Sequence, residues 1–268
     1  MTSRIPEIFS HNNLNKKKTF ISYLVCGDPT KEHTISAMHT MANSGVDIIE
    51  LGIPFTDPIA DGPVIQKSID RSLKNNTSLK DVISLVKKFR KNDIKTAVVL
   101  MGYMNPIHKM GINKFVRLIT SADIDGVLVV DSPPEESNKL NDLLKKSKKS
   151  HIYLASPTTT DKRMKSITEM SSGYVYYVTV KGITGSKLTN IKSIKESVKK
   201  IKNLSKSTLP VAVGFGIKDR TSAKTMASFS DGIIIGSSIV ELINKYSDNK
   251  KVMNDKLSKY LTSISRVM

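Results

Sequence analysis

Glu50, Asp57 and Asp61 fall close together in the stretch Val46-Asp-Ile-Ile-Glu50-Leu-Gly-Ile-Pro54-Phe-Thr-Asp57-Pro58-Ile-Ala-Asp61-Gly62-Pro63. The stretch begins as an apolar run and breaks into a Pro- and Gly-rich loop, which reads as a strand feeding a working loop. On a strand, Ile48 and Glu50 share one face and Ile49 and Leu51 the other. An acid inside such a run must be partnered, neutralised or used, because an isolated buried charge is costly. General acid–base work is the chemistry such a carboxyl offers. Spacing alone equally allows Glu50 to end its strand in solvent.

A second device lies near the other end of the chain, where Gly214-Phe215-Gly216 and Gly236-Ser237 each follow a short apolar run. Glycines let backbone N–H groups approach an anion, and a helix starting at Ser237 would add the positive end of its dipole. Each loop alone is ordinary turn chemistry; together, at these positions, they point to a phosphate.

The elements that must hold these residues alternate along the whole chain. Strands are expected at Thr19 to Val25, Val46 to Leu51, Thr96 to Met101, Gly126 to Val130, Ile152 to Ala155, Tyr174 to Val178, Val211 to Val213 and Gly232 to Gly236. Between them, helices are expected near Lys31 to Asn43, Val64 to Leu73, Leu79 to Phe89, Ile112 to Thr120, Glu135 to Lys146, Asp161 to Met170 and Ile191 to Leu204, with a helical segment after each of the last two strands. The strands are continuously apolar and lack hairpin turns, as parallel strands buried on both faces should be. Such alternation builds an open doubly wound sheet or a closed barrel. Eight units in 268 residues favour the (β/α)8 TIM barrel, an α/β fold, as one domain over 1–268. Active sites of barrels sit at the carboxyl ends of the strands, where both devices fall.

Composition narrows the classes. The single cysteine, Cys26, excludes a disulfide framework and a cysteine-ligated zinc site and suits a reducing compartment. The N-terminus has no apolar signal core and no run approaches a membrane span, so the expectation is a cytoplasmic protein without a membrane partner. The net charge of +18 raises nucleic acid as a partner, but only seven of the 42 basic residues are Arg. Base readout and bidentate phosphate recognition favour Arg, and the lysines spread over many expected helices, so no nucleic-acid partner is expected. Asp219 stands where a dinucleotide fingerprint starting at Gly214 needs its third glycine, and Gly182-Ile-Thr-Gly185-Ser-Lys187 lacks P-loop spacing. The five histidines show no ligand spacing, and no metal site is expected.

The stretch Glu50 to Pro63 resembles the signature of the tryptophan synthase alpha subunit family. The likeness extends in order through Gly27-Asp28-Pro29, Met101-Gly-Tyr103-Met-Asn105-Pro106, Gly182-Ile-Thr-Gly185, Gly214-Phe-Gly-Ile217 and Gly236-Ser237. It implies aldol-type cleavage of indole-3-glycerol phosphate to indole and glyceraldehyde 3-phosphate. By this resemblance Glu50 is the acid and base, Asp61 the anion beside the indole nitrogen, and Tyr176 a tyrosine near the glutamate. Gly185, Gly216, Gly236 and Ser237 would hold the phosphate, and Tyr23, Phe215, Met101 and Leu128 would line the pocket. The loop 179–188 would close as a lid, its Thr184 meeting Asp61. Asp61 as a plain helix cap, and Tyr176 and the four lining residues as plain core, stay open as readings.

The same resemblance implies a partner, a beta subunit that carries pyridoxal phosphate, in an α2β2 assembly; this chain itself would hold no cofactor. Pro54, Asp57 and Pro58, with Asn105 and Pro106, match the docking positions, and exposed prolines would make a stiff surface. They could also be loop punctuation. The chain departs from the family pattern at Val180-Lys181 in the lid and at Val25-Cys26 after the first strand. Two other classes share these features: an activating subunit without chemistry of its own, and another phosphate-binding barrel isomerase. Indole release separates the first, and turnover of a pentose phosphate the second.

Overall fold

Short strands that are apolar on both faces have two sides to bury, and a ring of strands surrounded by helices covers both. That is the arrangement of the computed structural model, which describes residues 2–179, 191–205, 209–214 and 216–268. The order is α1 (Ile5–Leu14), β1 (Thr19–Val25), α2 (Lys31–Asn43), β2 (Ile48–Gly52), α3 (Pro63–Lys74), α4 (Leu79–Phe89), β3 (Ala97–Gly102), α5 (Met104–Met110), α6 (Ile112–Ser121) and β4 (Gly126–Val129). There follow a 3-10 turn (Pro134–Glu136), α7 (Asn138–Lys146), β5 (Ser150–Ala155), α8 (Asp161–Met170), β6 (Val175–Val178), α9 (Ile191–Leu204), β7 (Val211–Gly214), α10 (Arg220–Ala227), β8 (Gly232–Ile235), α11 (Ser237–Lys245) and α12 (Lys250–Ser265). The eight strands are parallel and in sequence order, and β8 pairs with β1 to close the barrel.

Outward-facing strand residues such as Phe20, Ile49, Val98 and Val213 join the helices in one large apolar cluster. Inward-facing ones, among them Ile21, Ile48, Val99, Leu128, Ile152, Tyr176, Ala212 and Ile234, form a second cluster inside the ring. Tyr23 lies opposite Glu50, and Glu50 opposite Val99, so the acid belongs to an inward-facing layer.

Several boundaries differ from expectation. The second strand starts at Ile48 rather than Val46, because the Asp47 carboxylate accepts from the Phe20 amide at 2.8 Å and Val46 N–H bonds back to Met41. The expected helix from Glu135 is split at Ser137 into the 3-10 turn and α7. Three helices are additional: α12, α5 directly after β3, and α1, whose Ile5 and Phe9 enter the inner cluster and plug the amino end of the barrel. Asp125 holds that plug. Fully buried, it accepts from Arg4 N and Nη1 at 2.9 Å each, from Arg90 Nη2 at 2.7 Å and from Val98 N at 2.8 Å.

Candidate active site

Glu50 is the third residue of β2, and its side chain is completely buried inside the barrel. Tyr174 OH donates to its Oε1 at 2.5 Å, while Oε2 has no partner among the described residues. Burial pushes the carboxyl up to about 7, with the Tyr174 hydrogen bond pulling the other way. A carboxyl at that value is poised to release and recover a proton near neutrality. Glu50 therefore does not end its strand in solvent.

Asp61 hangs in the loop between β2 and α3. The N-cap of α3 is Gly62 and makes no side-chain cap bond, so Asp61 is not a helix cap. Its Oδ2 accepts from Tyr103 OH at 2.6 Å, and its main-chain oxygen accepts from Gln66 Nε2 at 2.8 Å. Burial raises this carboxyl too, and the Tyr103 bond opposes it.

Two adjoining cavities open above these acids. One, about 220 Å³, is lined by Tyr23, Asp61, Met101, Tyr176, Gly216, Lys218, Gly236, Ser237 and Ser238 among others. Gly216 has φ +78°, a left-handed conformation that glycine adopts without strain. Gly236 is the N-cap of α11, so the first-turn amides of Ser237 and Ser238 have no acceptor within the helix. The other, about 320 Å³, is more apolar, with Ile65, Met101, Val130, Leu154, Ala155 and Val178 beside Asp61, Tyr176 and Ser237. A larger cavity, about 520 Å³, lies at the amino end near Phe9 and Lys17, but its Asp231 is paired with Lys202 at 2.6 Å and no acid pair faces it.

Tyr23 and Tyr176 are placed by two strand-end glycines. A Cβ at Gly52 would lie 2.3 Å from the Tyr23 hydroxyl, and one at Gly214 2.4 Å from the Tyr176 hydroxyl, so both phenols need a glycine beneath them. Both are held well above the usual phenol value, first by burial and then by the charges of Glu50 and Asp61. Met101 lines both cavities, whereas Leu128 lies in the inner cluster and lines neither. Thr184, Gly185, Phe215 and most of the expected lid lie outside the described residues. Asp28, in the Gly27-Asp28-Pro29 motif, takes no part: it is buried and forked to Arg71 at 2.6 and 2.7 Å, tying β1 to α3.

Sequence reasoning missed Tyr174 and Tyr103, the two phenols bonded to the acids, and the walls Val130 and Leu154. Tyr174 carried a signal: it stands two residues before Tyr176, so both face inward. Glu50 itself lines neither cavity, being turned down toward Tyr174. On the rim, Asp57 and Asn105 are exposed, and Pro58 and Pro106 half-buried. Pro54 corrects the expectation of an exposed proline: it continues directly from Ile53, whose N–H bonds to Met101 O at 2.8 Å, and is buried. Among the described residues no cluster of His, Cys, Asp and Glu could hold a metal ion, and no helix is long and apolar enough to cross a membrane.

A closed eight-stranded parallel barrel with a buried, raised carboxyl beneath a mouth that also offers a second carboxyl and a helix N-terminus defines a class, the (β/α)8 barrel enzymes. Comparison with known proteins narrows it. Residues 9–267 match the family model described as tryptophan synthase alpha chain. The tryptophan synthase alpha chain of Marinobacter nauticus is 44% identical over 259 residues, covering 97% of this chain and 95% of its own. That of Hydrogenovibrio crunogenus is 42% identical, covering 98% of each. The crystal structure of tryptophan synthase subunit alpha from Legionella pneumophila superposes with a TM-score of 0.91 at 37% identity, covering 100% of this chain and 98% of that one. The chain belongs to the tryptophan synthase alpha chain family. It is a lyase of tryptophan biosynthesis, and the activity of its family is cleavage of indole-3-glycerol phosphate. The family works with a beta subunit.

Proposed function

We propose that Glu50 and Asp61 divide the cleavage of indole-3-glycerol phosphate between them. The protonated Glu50 carboxyl delivers its proton to indole C3, leaving positive charge on the ring, which Asp61 balances beside N1. Glu50, now a carboxylate, takes the proton of the adjacent glycerol hydroxyl. The C–C bond breaks, its electron pair returns to the ring, and the oxygen becomes the aldehyde of glyceraldehyde 3-phosphate. Glu50 ends as it began. To reach the ring its carboxyl turns away from Tyr174 toward the cavities, a movement that breaks no bond to Oε2 among the described residues.

The observation that carries this reading is the pair of cavities sharing Asp61 and Tyr176. The apolar one suits indole, with Met101 as wall. The other suits the phosphate, with Gly216, Gly236 and Ser237 offering main-chain N–H groups and Tyr23 as a wall; the family resemblance assigns Gly185 and Phe215 to the same substrate. The family resemblance assigns Thr184 to Asp61. Pro58, Asp57, Asn105 and Pro106 form the docking rim for a beta subunit in an α2β2 assembly, with Pro54 stiffening the loop from beneath. The pyridoxal phosphate belongs to that partner, this chain holds no cofactor, and the assembly works in the cytoplasm.

The test is indole release from indole-3-glycerol phosphate by the chain, with and without a beta subunit. Wild type should release indole, the partner should accelerate it, and Glu50→Gln should lower the rate by about 10²- to 10⁴-fold. A Glu50→Gln variant that keeps its rate would sink the assignment of Glu50. Wild type inert even with the partner would remove the catalytic reading in favour of an activating subunit.

A further inference from the structure

Tyr103 lies immediately beyond β3 and is 3% exposed. Its ring packs on Phe55 of the β2–α3 loop, centroids 5.2 Å apart. Its hydroxyl sits between two consecutive residues of that loop, 3.0 Å from Ala60 N and 2.6 Å from Asp61 Oδ2. The polarity of this contact is settled by elementary chemistry. An amide N–H only donates, so the phenol oxygen accepts from Ala60 and its own proton is directed at Asp61. Asp61 Oδ1 is left without a partner among the described residues. The next residue, Met104, donates its N–H to Asp131 Oδ1 at 2.8 Å, which binds the loop after β3 to the loop after β4. Tyr103 thus stands where three βα loops are tied together, two residues before Asn105 on the rim.

We propose that Tyr103 is the positioning residue for Asp61: its phenol holds one carboxylate oxygen and the adjoining peptide so that the other oxygen is presented, charged, to the indole nitrogen. The proposal rests on the role given to Asp61 above. A short loop closed by Pro58 and Gly62 would otherwise let the carboxylate swing, and a charge fixed in advance is worth more to a developing cation than one that must be ordered during the reaction. The other charged and titratable groups around Asp61 are poorly placed for this work. Glu50 lies beneath it, Tyr23 and Tyr176 face it from β1 and β6, and Lys218 and Glu241 line the same cavity without a bond to it among the described residues. Asp57 is exposed on its own loop, and Asp131 acts on Tyr103 from the β4 side. Of these, only Tyr103 donates a hydrogen bond to Asp61.

The experiment is a mutant cycle in the full chain with Tyr103→Phe, Asp61→Asn and both together, following kcat/KM for indole release against pH, with a 13C NMR titration of the Asp61 carboxyl. Tyr103→Phe keeps the ring on Phe55 and removes only the hydroxyl. It should lower kcat/KM about tenfold, the worth of one hydrogen bond to a charged acceptor. The acid limb of the profile and the Asp61 titration should both move to higher pH, because a bond that favours the charged form is gone. In the Asp61→Asn background the same substitution should have almost no further effect. An unmoved Asp61 titration in Tyr103→Phe, or full additivity of the two substitutions, overturns the proposal. Failure of the underlying reading looks different: Asp61→Asn alone would then retain wild-type kcat/KM, whatever the titration shows.

Discussion

The two ends of the barrel bury the same kinds of side chain and solve the electrostatic problem in opposite ways. At the amino end, Asp125 receives four donors and Asp123 is ringed by Arg4, Arg90 and Lys149. Burial alone would raise Asp123, but the Arg4 hydrogen bond and the three cations hold it below the usual carboxylate range. At the carboxyl end, Glu50 and Asp61 each have one phenol as a side-chain donor, and both are raised. Among the described residues no cation is paired with either. A carboxylate matched by cations is anchored and inert, whereas one given a single neutral donor stays available to a proton or a developing charge.

Substitutions should separate the two. Glu50→Gln is expected to abolish most activity while leaving the urea midpoint at neutral pH equal to or above that of wild type, since it replaces a buried acid by a neutral isostere. Asp125→Ala should do the reverse. Uncovering Arg4 and Arg90 ought to cost about 3–5 kcal/mol in urea unfolding, with kcat little changed in the variant that remains folded. A small loss there would mean that the cluster is decoration.

The pH dependence of stability should carry opposite signs at the two ends. Glu50 has its folded value raised from 4.5 to about 7, so the native state binds more protons than the unfolded chain between these values and stability falls as pH rises through that window, by on the order of 3 kcal/mol. Glu50→Gln should flatten this slope in urea unfolding measured from pH 4.5 to 7. Asp123 is depressed, so its contribution is present above the unfolded carboxylate value and is lost as pH falls through the folded one. A wild-type curve with no fall toward neutrality would show that Glu50 is solvated.

The smallest effect tunes a single group. Tyr174→Phe removes the one bond that lowers Glu50, so the alkaline limb of kcat/KM, where Glu50 loses the proton it must deliver, should move to higher pH. Chain stability should change little, because the ring stays packed on Phe9 at 5.7 Å. A limb that stays in place would detach Tyr174 from the chemistry.

Much of this molecule is written locally. Eight apolar runs without hairpin turns point to parallel strands, and their number in this length favours the closed ring that the fold shows. The motif from Glu50 to Pro63 and the glycine loops give the family and the carboxyl-end location of the site. What the sequence by itself could not decide is which group touches which. Tyr174 and Glu50 are 124 positions apart, Tyr103 and Asp61 42, and Arg4 and Asp125 121: the first pair meets across the closed ring, the second through the pairing of β2 with β3, and the third through docking of the N-terminal segment. Alternation places Glu50 on the inner face, but only burial in the closed barrel, above Tyr174 and the α1 plug, raises its carboxyl to about 7. Local pattern sets the direction of a side chain; its protonation depends on solvent exclusion and on partners brought from the far side of the barrel, and those exist only in the folded chain.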